Sequence, residues 1–160
     1  EDVVVNIQGD QPLIHPETIT ATIRPLLQST AVEMTTAAFA IVDKQEITNP
    51  KDVKVVFDGA GRALYFSRSP IPLARDANAG PDASFDTYKH LGIYAYTRRF
   101  LDAFTRLPTG RLEEIEKLEQ LRVLENGHDI TVIISPHDSP EVDLLEDVAR
   151  IEKILKSQGS

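Results

Sequence analysis

The sequence predicts an α/β fold: a mostly parallel sheet with an antiparallel hairpin set into it. Three observations carry that reading. Short apolar runs alternate with stretches of helical periodicity, the pattern of helices laid over a buried sheet. The opening run, Val3-Val4-Val5-Asn6-Ile7, begins β-branched, as a strand covered on both faces does, and stops abruptly at Gly9. Finally, Val53 to Phe57 and Ala63 to Ser67 flank Asp58-Gly59-Ala60-Gly61, whose residues are those of a tight turn.

The elements follow in order. After the first strand, Pro16 suits the first position of a helix, and Glu17 suits its first turn. Ile19, Ile23, Leu26 and Leu27 recur at helical spacing behind them. Thr35 to Ile41 reads as a strand of low polarity, and Asp43 to Asn49 as a polar connection closed by Asn49-Pro50. The hairpin comes next, and Ser69-Pro70-Ile71-Pro72 holds the chain extended after it. Leu73 to Thr87 has no period and is expected to be a mobile surface loop. His90 to Tyr96 is a strand, and Thr97 to Arg106 a short helix. Leu112 to Glu125 is predicted as one helix with Asn126-Gly127 as its C-cap. Ile130 to Ile134 is a last strand, and Asp143 opens a final amphipathic helix carrying Leu144, Val148, Ile151 and Leu155.

The 160 residues are long enough for one domain with a real core, and we read residues 1–160 as a single α/β unit. The net charge of −8 argues against a nucleic-acid-binding surface. With no cysteine there is no disulfide frame and no thiolate metal site. No apolar run approaches membrane-spanning length, so the expected compartment is the cytoplasm. Residue 1 is Glu and a buried-type strand starts almost at once, so the expectation is a piece of a longer polypeptide.

Four groups of residues suit chemistry. Asp10 lies one residue past the Gly turn that ends the first strand, beside Gln8. Beyond the carboxyl end of a sheet strand such a carboxylate is placed for a metal ion or a substrate, although Gly-Asp is also plain turn chemistry. Arg68 follows the hairpin and has the fork geometry that binds carboxylates, or is a solvated turn residue. His90, Gly92, Tyr94 and Tyr96 share one strand face, where the glycine leaves room for a ligand; the plain alternative is a half-buried His with packing tyrosines. The last group holds carboxylates. Glu119 and Gln120 are predicted on the long helix, where a solvated face is the simpler reading. Asp143 with Glu146 makes an Asp-x-x-Glu cap, so local pattern makes Asp143 an N-cap before it makes it a ligand.

Taken together and in order, these stretches resemble one family. Gln8-Gly9-Asp10-Gln11-Pro12, Val53-Lys54-Val55-Val56, Ala63-Leu64-Tyr65-Phe66-Ser67-Arg68 and Lys89-His90-Leu91-Gly92-Ile93-Tyr94-Ala95-Tyr96 look like the 3-deoxy-manno-octulosonate (Kdo) cytidylyltransferases, the CMP-Kdo synthetases. Leu118-Glu119-Gln120-Leu121-Arg122-Val123-Leu124-Glu125-Asn126-Gly127 and Val142-Asp143 continue the likeness, which runs from about residue 3 to residue 153.

The resemblance implies a Rossmann-like nucleotidyltransferase fold and transfer of CMP from CTP to Kdo, with release of pyrophosphate, in lipopolysaccharide biosynthesis. It implies Mg²⁺ held by Asp10 and Asp143 as the catalytic acidic pair. Gln8, Arg68, His90, Tyr94, Glu119 and Gln120 would line the sugar site, and the working form would be a homodimer. The family's basic CTP-phosphate loop precedes the first residue given, so these residues alone are expected to be inactive. Two alternatives stand beside this reading: another sugar nucleotidyltransferase, such as a sialic-acid cytidylyltransferase, and a non-catalytic dimerisation or binding fragment. Two departures from the family pattern stand out. Gln11 occupies a usual Glu position, and Glu141-Val142-Asp143-Leu144-Leu145-Glu146-Asp147 replaces the usual Gly-Val-Asp-Thr-Pro-Glu-Asp.

Overall fold

A computed structural model describes residues 2–75, 86–142 and 145–158. Its strands are β1 (Val3–Ile7), β2 (Met34–Ala40), β3 (Lys54–Phe57), β4 (Ala63–Ser67), β5 (Tyr88–Thr97) and β6 (Thr131–Ile134). Its helices are α1 (Pro16–Gln28), α2 (Lys44–Thr48), α3 (Arg98–Phe104), α4 (Arg111–Glu116), α5 (Leu121–Glu125) and α6 (Leu145–Gln158).

The described strands form one sheet in the order β4-β3-β5-β2-β6, with β1 also paired to β5. The α/β class and the β3–β4 hairpin stand where the sequence places them. The balance of directions differs from the expected mostly parallel sheet. Parallel pairing among the described strands is confined to β2–β6. The reason is β5: it runs antiparallel to β1, β2 and β3 alike and so reverses the centre of the sheet.

Alternation along β5 builds two cores. Leu91 and Ile93 join Ala37 on the face where Ile14 and Ile19 pack. Tyr94 and Tyr96 point the other way, into a larger core with Met34, Phe66, Phe100, Leu118 and Leu121. The α4–α5 segment therefore covers one face of the sheet near β4, and α1 the other.

His15 caps α1, accepting from the Glu17 N–H at 3.2 Å, with Pro16 just inside as expected. Of the predicted aliphatic stripe of α1, Leu26 is buried and Ile19 packs on the core, but Leu27 is exposed and the fully covered face is completed by Thr18 and Thr22. Hydroxyl contacts explain the choice. Thr18 meets Ser135 Oγ at 2.7 Å, and Thr35 donates to the Thr22 carbonyl at 2.6 Å. Small hydroxyl side chains let the helix lie close to β2 and β6 with their polar atoms paired.

Two further expectations change. The polar stretch after β2 contains α2, capped by Asp43, whose Oδ1 accepts from Gln45 N–H at 2.9 Å. The predicted helix 112–125 is broken into α4 and α5 at Lys117, which adopts φ 55°. Arg122 folds α5 back on α4 by gripping both oxygens of Glu113, at 2.8 and 2.6 Å. Glu125 accepts from Leu112 N–H and Glu113 N–H at the start of α4. Apolar periodicity runs smoothly through this turn, so the break is invisible to it. Most of the loop expected after Leu73 falls at residues 76–85 and lies outside the described residues, as do Asp143 and Leu144.

Candidate functional site

A cavity of about 330 Å³ opens where the ends of β1 and β4, the middle of β5 and the α4–α5 turn converge. Gln8, Asp10 and Arg68 line it, as do His90, Tyr94, Glu119 and Gln120. The structure thus brings together every site residue singled out from the sequence except Asp143, which is outside the described residues. The size is at the small end for ligand pockets. Lys51, Lys117 and Glu141 complete a lining that carries charge of both signs.

Asp10 is tied by its backbone, with its carbonyl accepting from Val142 N–H at 2.8 Å. Its Oδ1 is buried without a hydrogen-bond partner among the described residues. An orphaned carboxylate oxygen facing a cavity is what a hard divalent cation needs, so the residue fits the Mg²⁺ that the family resemblance implies. Another metal-capable cluster among the described residues, His15, Glu17 and His137, lies outside the cavity. Its donors are committed: His15 Nδ1 is the helix cap, and His137 Nε2 is 2.9 Å from Glu17 Oε2.

Arg68 is held by neutral acceptors. Its Nε donates to the Glu116 carbonyl at 2.9 Å and its Nη1 to the Pro50 carbonyl at 3.0 Å. Carbonyls fix the guanidinium, and among the described residues no carboxylate forms a direct ion pair with it, although Glu116 is near enough to feel its charge; the rest of the fork is left for a ligand anion. The Glu116 carboxylate is occupied close by, with Ser67 Oγ at 2.6 Å and Arg68 N–H at 3.0 Å. Burial alone would raise its carboxyl pKa, but those hydrogen bonds, with Tyr65 and the Arg68 charge, bring it below the ordinary range.

Lys54 belongs to the same scaffold and was not singled out from the sequence. It is fully buried at the start of β3 and donates to the carbonyls of Asn49, Asp52 and Arg68. It gathers the loop before β3 and the end of β4 at one point. Burial, chiefly, lowers its pKa. A lysine between Val53 and Val55 was the available signal.

The break at Lys117 decides the placement of Glu119 and Gln120. On an unbroken helix they would share a solvated face. In the turn between α4 and α5 they reach the cavity, and Gln120 is buried.

His90 is wedged between Phe66, edge-on at 5.2 Å, and Tyr94 at 5.3 Å. Its Nε2 lies 2.8 Å from Thr36 Oγ1. Burial drives its pKa down to about 3, and the neighbouring Tyr94 hydroxyl well above the phenol range. A stability consequence follows with a definite sign. Between about pH 6.5 and 3 the unfolded chain binds a proton at this position and the folded protein does not. Acidification through that window should therefore cost up to about 1.4 kcal/mol per pH unit from this group. In denaturant titrations His90→Gln should flatten the acid limb; an unchanged slope would place the acid sensitivity elsewhere.

Gly92 lines the cavity, and its missing side chain also makes room for its neighbours. A Cβ there would come within 2.9 Å of Gln8 Oε1 and of Gln11 Nε2. Gln11 is buried and donates from Nε2 to Glu141 Oε1 at 2.9 Å. The two departures from the family pattern are thus in contact, although 130 residues apart. An amide at 11 suits a carboxylate at 141, whereas two carboxylates there would repel. Gln11→Glu should cost about 1–3 kcal/mol in thermal or denaturant unfolding. Most of it should return in the Gln11→Glu/Glu141→Gly double variant, and purely additive effects would show that the pair is not coupled.

A family profile described as "Cytidylyltransferase" matches residues 1–130. A 3-deoxy-manno-octulosonate cytidylyltransferase of Desulfosudis oleivorans is 67% identical over 160 residues, covering 100% of this chain and 63% of that protein. An 8-amino-3,8-dideoxy-manno-octulosonate cytidylyltransferase of Shewanella frigidimarina is 54% identical over 153 residues, covering 95% of this chain and 60% of that protein. A solved CMP:2-keto-3-deoxy-manno-octonic acid synthetase complexed with CTP superposes with a TM-score of 0.88 at 34% identity, over 98% of this chain and 63% of its own. The chain thus spans somewhat under two thirds of the length of these proteins. None of its described helices is long and apolar enough to cross a membrane.

Proposed function

This chain belongs to the cytidylyltransferase family, and on that premise we propose that the full-length protein transfers CMP from CTP to 3-deoxy-manno-octulosonate, releasing pyrophosphate. The observation that supports it most is Arg68. Its guanidinium is pinned by two backbone carbonyls at the rim of a small polar cavity, charged and available for the carboxylate of a sugar acid. Around it, Glu119 and Gln120 offer acceptors and an amide for sugar hydroxyls, and neutral Tyr94 offers a phenol.

The chemistry is in-line attack by a sugar hydroxyl on the α-phosphate, in which positioning and charge neutralisation supply most of the rate. Mg²⁺, held by Asp10 and Asp143 when bound, would neutralise phosphate charge. The chain's own residues orient the sugar: Arg68 fixes its carboxylate end, and the α4–α5 turn its hydroxyls. The cytoplasm, a homodimeric working form and a product destined for lipopolysaccharide belong to the same proposal and rest on the family resemblance.

The relative named for the 8-amino sugar supports a second reading, in which that amine-bearing substrate is preferred. Pyrophosphate release from CTP, measured with each sugar and with sialic acid, separates the readings. The proposal requires the highest kcat/KM with 3-deoxy-manno-octulosonate; preference for either alternative overturns it.

A further inference from the structure

His90 has two ring nitrogens, and the surrounding hydrogen bonds decide which one carries the proton. Thr36 is fully buried on β2, beside the register shift that offsets β2 against β5. Its hydroxyl oxygen lies 2.7 Å from the Ile93 carbonyl and 2.8 Å from His90 Nε2. A hydroxyl has one hydrogen. A carbonyl can only accept, so that hydrogen goes to Ile93, and toward His90 the Thr36 oxygen has only a lone pair to offer. His90 must then donate from Nε2. Since burial keeps the ring neutral, Nδ1 carries no proton.

No described group bonds Nδ1. It is also not sealed in, because Asp10 Oδ1 is the only buried side-chain polar atom among the described residues without a partner. His90 lines the cavity, so Nδ1 is the atom it turns to a ligand. Phe66 and Tyr94 pack against the ring and oppose its turning over.

We propose that Thr36 is a positioning residue that locks His90 in its Nε2–H tautomer, making Nδ1 an acceptor that reads a ligand hydroxyl. The site then divides its work by hydrogen-bond sense. Arg68 takes the carboxylate, and His90 rejects a carboxylate because it has no proton on that side to give. A sugar acid presenting a hydroxyl at this point is accepted; an analogue lacking it leaves a desolvated lone pair unpaired. The identity of the hydroxyl rests on the function proposed above, but the tautomer does not.

The test uses ¹⁵N-histidine-labelled full-length protein at neutral pH, without ligand. Long-range ¹H–¹⁵N correlation should show His90 as the Nε2–H tautomer. Thr36→Ser keeps the relay and should keep that signature. Thr36→Val removes it, strands both Nε2–H and the Ile93 carbonyl, and should abolish the signature. In steady-state assays Thr36→Val should raise the sugar KM about tenfold or more, the worth of roughly one hydrogen bond to a buried group, with the CTP KM within about twofold. Thr36→Ser should restore it. An Nδ1–H or imidazolium His90 in the wild type overturns the proposal, whether or not Thr36→Val folds. So does a Thr36→Val protein that keeps both tautomer and sugar KM. The expected tautomer changes with an unaltered sugar KM would overturn the acceptor role. Absence of any sugar-dependent turnover by the wild type would instead defeat the function proposed above.

Discussion

Asp10→Asn in the full-length protein is expected to lower kcat at least a hundredfold while leaving the fold as stable as before, or more so. The two effects have one origin. Oδ1 of Asp10 is buried and has no hydrogen-bond partner among the described residues, which is a standing cost to the folded state. An uncharged isostere relieves that cost. It also removes the negative charge proposed to hold Mg²⁺ where charge develops on the transferring phosphate, an interaction worth several kcal/mol to the transition state. The measurements are pyrophosphate release over a range of Mg²⁺ concentrations and a thermal melt of the same preparation. Lost activity with an unchanged or raised melting temperature is the expected pair of results. Activity within about threefold of wild type, less than a single hydrogen bond contributes, would make Asp10 a turn residue. A fall in both quantities would mean the carboxylate supports the β1 turn itself.

Arg68→Lys should be nearly as damaging, although it keeps the charge. Arg68 spends Nε and Nη1 on the carbonyls of Glu116 and Pro50, and these contacts aim the rest of its planar fork. A lysine ammonium has three donors on one atom and cannot hold both carbonyls and grip a carboxylate with two parallel bonds. A loss of about 2–3 kcal/mol is expected in kcat/KM for the sugar, roughly 30- to 150-fold, with the CTP KM little changed. Comparable losses for both substrates would show that Arg68 serves the nucleotide. A lysine variant with wild-type kinetics would reduce it to a surface charge.

Local chemistry in the sequence determined a good deal. The β-branched run before Gly9, the turn residues between two strand-like runs and the Pro16 helix start each fix a local conformation. All three appear where they were expected, because each depends on neighbours a few residues away, although β1 is only half-buried and Ile7 is exposed where cover on both faces was expected. Residues that suit chemistry at Asp10, Arg68 and His90 were also visible, since carboxylate, guanidinium and imidazole at strand ends are conspicuous in a chain. That they share one cavity was implied only by the family resemblance and not by local chemistry, because it depends on β5 passing between β3 and β2 and running against both.

Tertiary structure alone decided the rest, for one physical reason. Hydrogen bonds between residues distant in sequence choose among conformations that local preference leaves nearly equal. Apolar periodicity continues through Lys117, and contacts from Arg122 to Glu113, from Glu125 to the start of α4 and from Arg68 to Glu116 accompany the break out of helix there. That break turns Glu119 and Gln120 from surface residues into cavity walls. Gln11 and Glu141 read as unrelated departures until the fold sets them 2.9 Å apart. Thr36 reads as one more strand threonine until its single hydrogen is committed to the Ile93 carbonyl. Which nitrogen of His90 carries its proton is settled 54 residues away in the chain, at a distance of 2.8 Å in space.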